Sequence, residues 1–306
     1  MQTEIYGLTK NEYRQLIEDE TVTAADLAKR LSIPKHVYRY RRLGFENEKH
    51  EWLEAKHWED DVNGIIMFSL PDSFNKNDPD DCKVNIDDKK VFDYMVREYN
   101  REKRRSMQRV GKKKLKEYCE TLQKTMRVGC FTSVKPEDEN MWEDPNFGDN
   151  GRGICIEYKV DDTNFRPDNL AFLPVLYDDV KYDNTGAMEG MIDYVKDAAN
   201  VEAQRKMVCL GYGHTLIKAL EYEKEKEWRL VIPLRDDGAH LDYFDVDNVS
   251  KRDFTTAVKA IYIGPQFCTL LESKKYMDKI LKKWNNAGIP VYQIHFEDGK
   301  SFKQEC

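Results

Sequence analysis

The chain has 306 residues, of which 40% are hydrophobic and 34% charged, with a formal net charge of −7. That is enough apolar material for a substantial core. The negative balance argues against a general nucleic-acid coat while leaving room for a local basic patch. Seven cysteines, at 82, 119, 130, 155, 209, 268 and 306, are odd in number and contain no C-x-x-C spacing. Neither a disulfide framework nor a zinc ribbon is indicated, so no metal is expected. The first residues lack the basic and apolar regions of a signal peptide, and no apolar run approaches the roughly 18 residues of a membrane span. The expectation is a soluble, cytoplasmic protein with no membrane contact.

In chain order, Thr9 is placed to cap a helix over 10 to 19, and Thr23 a second over 24 to 31. The stretch from Thr23 to Tyr40 looks like a helix-turn-helix, although its packing position falls one residue early, at Val37. Residues 36 to 43 alternate instead, as a strand does. Val37, Arg39 and Arg41 then face one way, and Tyr38, Tyr40 and Arg42 the other. Arginines on one strand face are costly unless they meet an anion or a carboxylate. The two outcomes are a salt-bridged edge strand and a phosphate site.

A polar, Trp-bearing helix is expected over 47 to 61, then a buried strand over 64 to 70 stopped by Pro71. Residues 71 to 80 read as a turn-rich loop. From Asp87 to Lys124 the periodicity is helical, and between Arg97 and Lys116 stand ten Lys or Arg against two Glu. That stripe, with Arg104, Arg105, Lys112, Lys113 and Lys114, is either a solvated face or a track for a phosphate backbone. Strands are expected over 128 to 134 and 154 to 160, separated by an acidic loop over 137 to 150, with one or two more between 174 and 182. Residues 185 to 218 read as mostly helical, interrupted at Gly211-Tyr212-Gly213-His214.

The run Glu221-Tyr222-Glu223-Lys224-Glu225-Lys226-Glu227-Trp228-Arg229-Leu230-Val231-Ile232 passes from dense charge into an apolar strand. In extended chain Glu225 and Glu227 project to one side. Like charges held that close push one pKa up, which suits acid–base or cation-stabilising chemistry. The alternative is a charged edge that discourages strand pairing. Further strands at 241 to 244, 260 to 263 and 290 to 296 flank a helix over 270 to 286. Strands and helices do not alternate regularly, so the class is α+β, with antiparallel or mixed sheets flanked by helices. The division expected is a small helical extension over 1–35 and a main domain over 36–306.

These pieces resemble a bacterial family catalogued as domain of unknown function 2971. The matching runs are Tyr38-Arg39-Tyr40-Arg41, Phe68-Ser69-Leu70-Pro71-Asp72-Ser73-Phe74-Asn75 and Cys130-Phe131-Thr132-Ser133. Met141-Trp142, Gly153-Ile154-Cys155-Ile156-Glu157-Tyr158, Glu225-Lys226-Glu227-Trp228-Arg229 and Ile261-Tyr262-Ile263-Gly264 continue the pattern. The order of motifs is also similar to that of ADP-ribosyltransferases, which implies a split sheet and NAD as co-substrate. On that resemblance Arg39 or Arg41 holds phosphate, Ser69 positions, Tyr40 supplies flat apolar surface, and Glu227 is catalytic with Glu225 as companion. A carboxylate beside the anomeric carbon stabilises the oxocarbenium-like cation formed when the nicotinamide–ribose bond breaks.

The first functional expectation is therefore an NAD-utilising transferase or glycohydrolase of toxin or antiphage type, acting on a protein or nucleic-acid target or on NAD itself. The second is a nucleic-acid binder or nuclease using the basic stripe. The third is a non-catalytic module whose regulatory protein partner covers the acidic stretches at 72 to 88 and 136 to 150.

Overall fold

The computed structural model describes residues 4–46, 52–55, 57–76, 78–98, 116–117, 119–120, 123–124, 126–165, 171–233, 244–246, 249–270 and 272–306. Eight strands form its main sheet: β1 (His36–Arg41), β2 (Met126–Thr132), β3 (Ile154–Lys159), β4 (Ala171–Pro174), β5 (Glu227–Pro233), β6 (Val258–Ile263), β7 (Val291–Glu297) and β8 (Lys300–Glu305). Their order is β8-β7-β6-β3-β1-β2-β5-β4. The β6–β7 pair is parallel and its neighbours are antiparallel. With the helices around this mixed sheet, the class is α+β.

Among the described residues eight helices surround it: α1 (Lys10–Glu18), α2 (Ala24–Arg30), α3 (Trp58–Val62), α4 (Asp88–Glu98), α5 (Glu139–Glu143), α6 (Thr185–Lys196), α7 (Val201–Gly211) and α8 (Ser273–Asn285). Helix α1 starts where its sequence dictates. The Glu12 N–H donates to Thr9 Oγ1 at 3.2 Å, and the Thr9 N–H donates to Glu12 Oε2 at 2.8 Å. This reciprocal cap contributes about 1 kcal/mol. No described helix is long and apolar enough to cross a membrane.

The two faces of the sheet are different environments. Val37, Phe131, Ile156, Trp228, Leu230 and Ile261 point to one face, where Tyr276, Ile280 and Trp284 of α8 and Phe68 complete a buried cluster. On the other face, at the β4–β5 end, Met126, Leu173 and Val231 pack with Tyr13, Ile17, Leu27, Met188 and Leu210. The N-terminal helices thus share a core with β4, and the Tyr13 hydroxyl donates to the Pro174 carbonyl at 2.6 Å. Farther along the same face, Tyr38, Tyr40, Cys155 and Tyr262 lie under Met141 and Trp142.

Three expectations are corrected here. No recognition helix follows Pro34, because residues 36–41 are strand β1, an interior strand between β3 and β2 rather than an edge. The stretch expected as a helix over 47 to 61 contains a strand, Trp52–Glu54, antiparallel to Gly44–Glu46, before the short α3. A Cβ on Gly44 would lie 2.3 Å from the Trp52 indole, so the missing side chain makes room for that ring. The acidic loop at 137 to 150 includes α5, which Asp138 caps and which buries Met141 and Trp142. The loop at 71 to 80 begins as a 3-10 turn, Pro71–Lys76.

Strand Ile65–Phe68 joins Val249–Asp253 and Phe244–Val246 in a separate three-stranded sheet. An isolated bridge between Ser69 and Val128 ties it to β2.

Candidate active site

β5 begins where three segments meet. Leu220–Glu225 forms a 3-10 turn, Lys226 adopts the left-handed conformation (φ 43°), and Glu227 opens the strand. The expected period-two geometry does not hold, because Glu225 is not in extended chain. The left-handed residue nonetheless returns both carboxylates to one cation. Lys218 Nζ lies 2.6 Å from Glu225 Oε2 and 3.5 Å from Glu227 Oε2. Thr132 Oγ1 donates to the Glu225 carbonyl at 2.5 Å, and the Glu227 N–H donates to the Tyr177 hydroxyl at 2.7 Å. Both glutamates are 6% exposed, so the solvated charged edge is not what forms.

Two residues on, Arg229 shares the strand face of Glu227 and is fully buried. Its Nε donates to Glu227 Oε1 at 2.8 Å and its Nη2 to Glu227 Oε2 at 3.1 Å. Nη1 and Nη2 grip Asp81 at 2.8 and 2.7 Å, and Nη1 also donates to the Thr215 carbonyl at 2.7 Å. Cys82 Sγ is 3.0 Å from Nη1, and the Phe74 ring lies 5.4 Å from the guanidinium carbon. One side chain therefore fastens the 74–82 segment and the 215–227 segment to the sheet. This fork geometry is what arginine supplies and lysine does not.

The electrostatics separate the two glutamates. Burial drives the Glu225 pKa up, Lys218 opposes it and Glu227 adds to it, leaving it raised to about 7. Burial also acts to raise Glu227, but the Arg229 guanidinium and then Lys218 outweigh it and hold that carboxyl low, at about 2. Burial would lower the Lys218 pKa, yet Glu227 and Glu225 carry it above its usual value. Two cations, Lys218 and Arg229, face three carboxylates, Asp81, Glu225 and Glu227. With Glu225 ionised the cluster carries one surplus negative charge.

The other residues expected at the site are elsewhere. Cross-strand partners share a face, and the register aligns Tyr38, Thr132 and Glu227 across β1, β2 and β5. Arg39 and Arg41, one and three residues after Tyr38, point to the opposite face. There Arg41 Nε is 3.0 Å from Asp61 Oδ1 and Arg39 Nε 3.8 Å from it, with the Phe131 ring 5.9 Å from the Arg39 guanidinium. The arginines meet a carboxylate, Asp61, and the sheet separates them from Glu227. Ser69 exchanges backbone hydrogen bonds of 2.9 Å with Val128, four residues before Thr132, or roughly 13 Å along β2. Tyr40 lies on the Glu227 face but is core: its hydroxyl donates to the Lys135 carbonyl at 2.8 Å and its ring packs edge-on against Trp142.

The shared hollow expected for Arg39 or Arg41, Ser69 and Glu227 is thus not assembled. Arg104, Arg105, Lys112, Lys113 and Lys114 lie outside the described residues. The acidic stretch read as a partner surface at 72 to 88 places Asp81 and Cys82 inside the Arg229 cluster. Among the described residues no group of three or more His, Cys, Asp or Glu is placed to hold a metal ion.

Sequence reasoning passed over Lys218, Asp81, Tyr177 and the role of Arg229. A signal existed for Arg229 alone: a charged residue of Glu227's parity inside an apolar strand demands a buried partner.

Residues 141–230 match the model of a family described as protein of unknown function (DUF2971). The match takes in Trp142, β3, Lys218, Glu225, Glu227 and Arg229, and stops short of β1 and Ser69. No curated protein and no solved structure matches the chain.

Proposed function

We propose that the Glu225–Glu227 pair is an acid–base centre for breaking a glycosidic bond, and that the chain is an NAD-consuming glycohydrolase or ADP-ribosyl transferase of toxin or antiphage type. The observation that carries this is the pairing itself. Two buried carboxylates on one lysine are driven to opposite sides of their ordinary range, about 7 and about 2. Pairs pushed apart in this way mark acid and base roles.

The chemistry follows from the charges. When the C1′–nicotinamide bond of NAD breaks, its electrons leave with nicotinamide and C1′ becomes an oxocarbenium cation. Glu227, ionised at every physiological pH, stabilises that cation. Water or an acceptor hydroxyl then attacks C1′, and its proton passes to Glu225, which is close to half ionised at neutrality. Arg229 holds Glu227 in place and is a positioning residue. NAD is the co-substrate in this reading, and Arg39, Arg41 and Ser69 have no part in it.

The test is NAD turnover by the purified chain. Glu227→Gln lowers kcat by about a thousandfold with substrate affinity retained, the scale of losing one charge that faces the transition state. Glu225→Gln removes the rise in rate through pH 7. A wild-type chain that leaves NAD intact, alone and with cell extract as acceptor, overturns the reading.

A further inference from the structure

A cavity of about 600 Å³, within the range that holds a nucleotide-sized ligand, is lined in part by the turn that carries the acidic pair. Lys226, the residue between Glu225 and Glu227, lines it together with Ser133, Lys135 and Phe296. The Ser133 N–H donates to the Lys226 carbonyl at 3.2 Å, so the cavity wall is hydrogen-bonded to the turn that carries the two glutamates.

The lining is bipolar. Lys135 and Lys226 are exposed, and among the described residues neither ammonium is in an ion pair. Against them stand Glu137, Asp138 and Glu139. Glu137 pairs through Oε1 with Lys303 at 2.6 Å, while its Oε2 is buried with no hydrogen-bond partner. Asp138 Oδ1 accepts the Asn140 N–H at 3.1 Å as the cap of α5. Two unpaired cations and a half-buried aromatic ring thus share one hollow.

We infer that this cavity binds the diphosphate of the substrate, an inference that takes its ligand from the NAD reading of Glu225 and Glu227, which flank Lys226 in the chain. Lys135 and Lys226 hold the diphosphate oxygens by charge-assisted contacts. Phe296 offers its face to a flat, cationic nicotinamide ring. Such a site does what Arg39 and Arg41, on the far face of the sheet, cannot do for Glu227.

ADP-ribose and NAD are titrated separately into wild type, Lys135→Glu, Lys226→Asn and Glu227→Gln, and initial rates with NAD are recorded. Asparagine tolerates the left-handed conformation at 226, so that variant tests the charge rather than the turn. Each lysine variant weakens ADP-ribose binding about tenfold, the scale of one charge-assisted contact, and the loss with NAD appears in KM rather than kcat. Glu227→Gln binds ADP-ribose as wild type does. Unchanged affinity and KM in both lysine variants overturn the cavity assignment and leave the acid–base reading standing. Lysine-dependent ADP-ribose binding by a wild-type chain that does not turn over NAD upholds the cavity and overturns that reading. A wild-type chain that does not bind ADP-ribose overturns the cavity assignment whatever its turnover.

Discussion

Arg229 and Arg39 are two guanidinium groups on interior strands of one sheet, buried on opposite faces, and their surroundings differ in kind. Arg229 has Glu227 and Asp81 in fork geometry and the Thr215 carbonyl besides, and its pKa is raised, burial being outweighed first by Asp81. Arg39 faces Asp61 at 3.8 Å and the Met67 carbonyl at 3.5 Å, while its Nε and Nη1 are buried without hydrogen-bond partners. Burial and the neighbouring Arg41 lower its pKa to about 10 against the opposing pull of Asp61. Burial alone therefore does not decide what a charge does in a sheet. The number and direction of its partners do, because each unmatched donor loses its hydration without replacement.

The sharpest way to break that comparison is Arg229→Met. It strands Asp81 and Glu227 with Lys218 as their remaining cation, and the loss expected is about 3–5 kcal/mol, read as a lower Tm by calorimetry. A loss below about 1 kcal/mol would mean that the network is not what anchors the 74–82 segment.

The pair of glutamates gives the next largest effect, through pH. Glu225 has a folded pKa of about 7 against an ordinary 4.5, so between those values the native state holds a proton that the unfolded chain has lost. Its contribution is present below pH 4.5 and is lost as pH rises through 7. Glu227, held at about 2, acts in the reverse sense: its contribution is present above pH 4.5 and is lost as pH falls toward 2. Urea unfolding across pH 3–8 should show Glu225→Gln flattening the neutral limb. Glu227→Gln should flatten the acid limb. A wild-type profile without slope between pH 5 and 7 would remove the separation of the two charges.

Arg39→Met should have the smallest effect, within about 1 kcal/mol of wild type and in the stabilising direction. A methionine needs no partners, and Arg41 remains to neutralise Asp61 at 3.0 Å. Urea midpoints for Arg39→Met and Arg229→Met, measured side by side, sharpen the contrast directly. Equal losses in the two variants would erase it.

The chain by itself determined what depends on near neighbours. The caps at Thr9 and Thr23, the apolar runs of β2, β3, β5 and β6, and the α+β class follow from local hydrogen bonding and alternation. Alternation also fixed that Glu227 and Arg229 share one face. It failed over 47 to 61, where Trp52 settles against Gly44 and donates to the Tyr276 hydroxyl at 2.9 Å, a contact 224 residues away in sequence. It failed again at Glu225, where one left-handed residue replaces the extended chain.

Only the tertiary structure decided which charges meet. Asp81 lies 148 residues before Arg229, and nothing in either neighbourhood names the other. Strand register assigned Arg39 and Glu227 to opposite faces, because a shift of one residue reverses every side chain. The periodicity of β1 and of β5 was legible separately. Their relative phase depends on β2 lying between them, and that is a property of the assembled sheet.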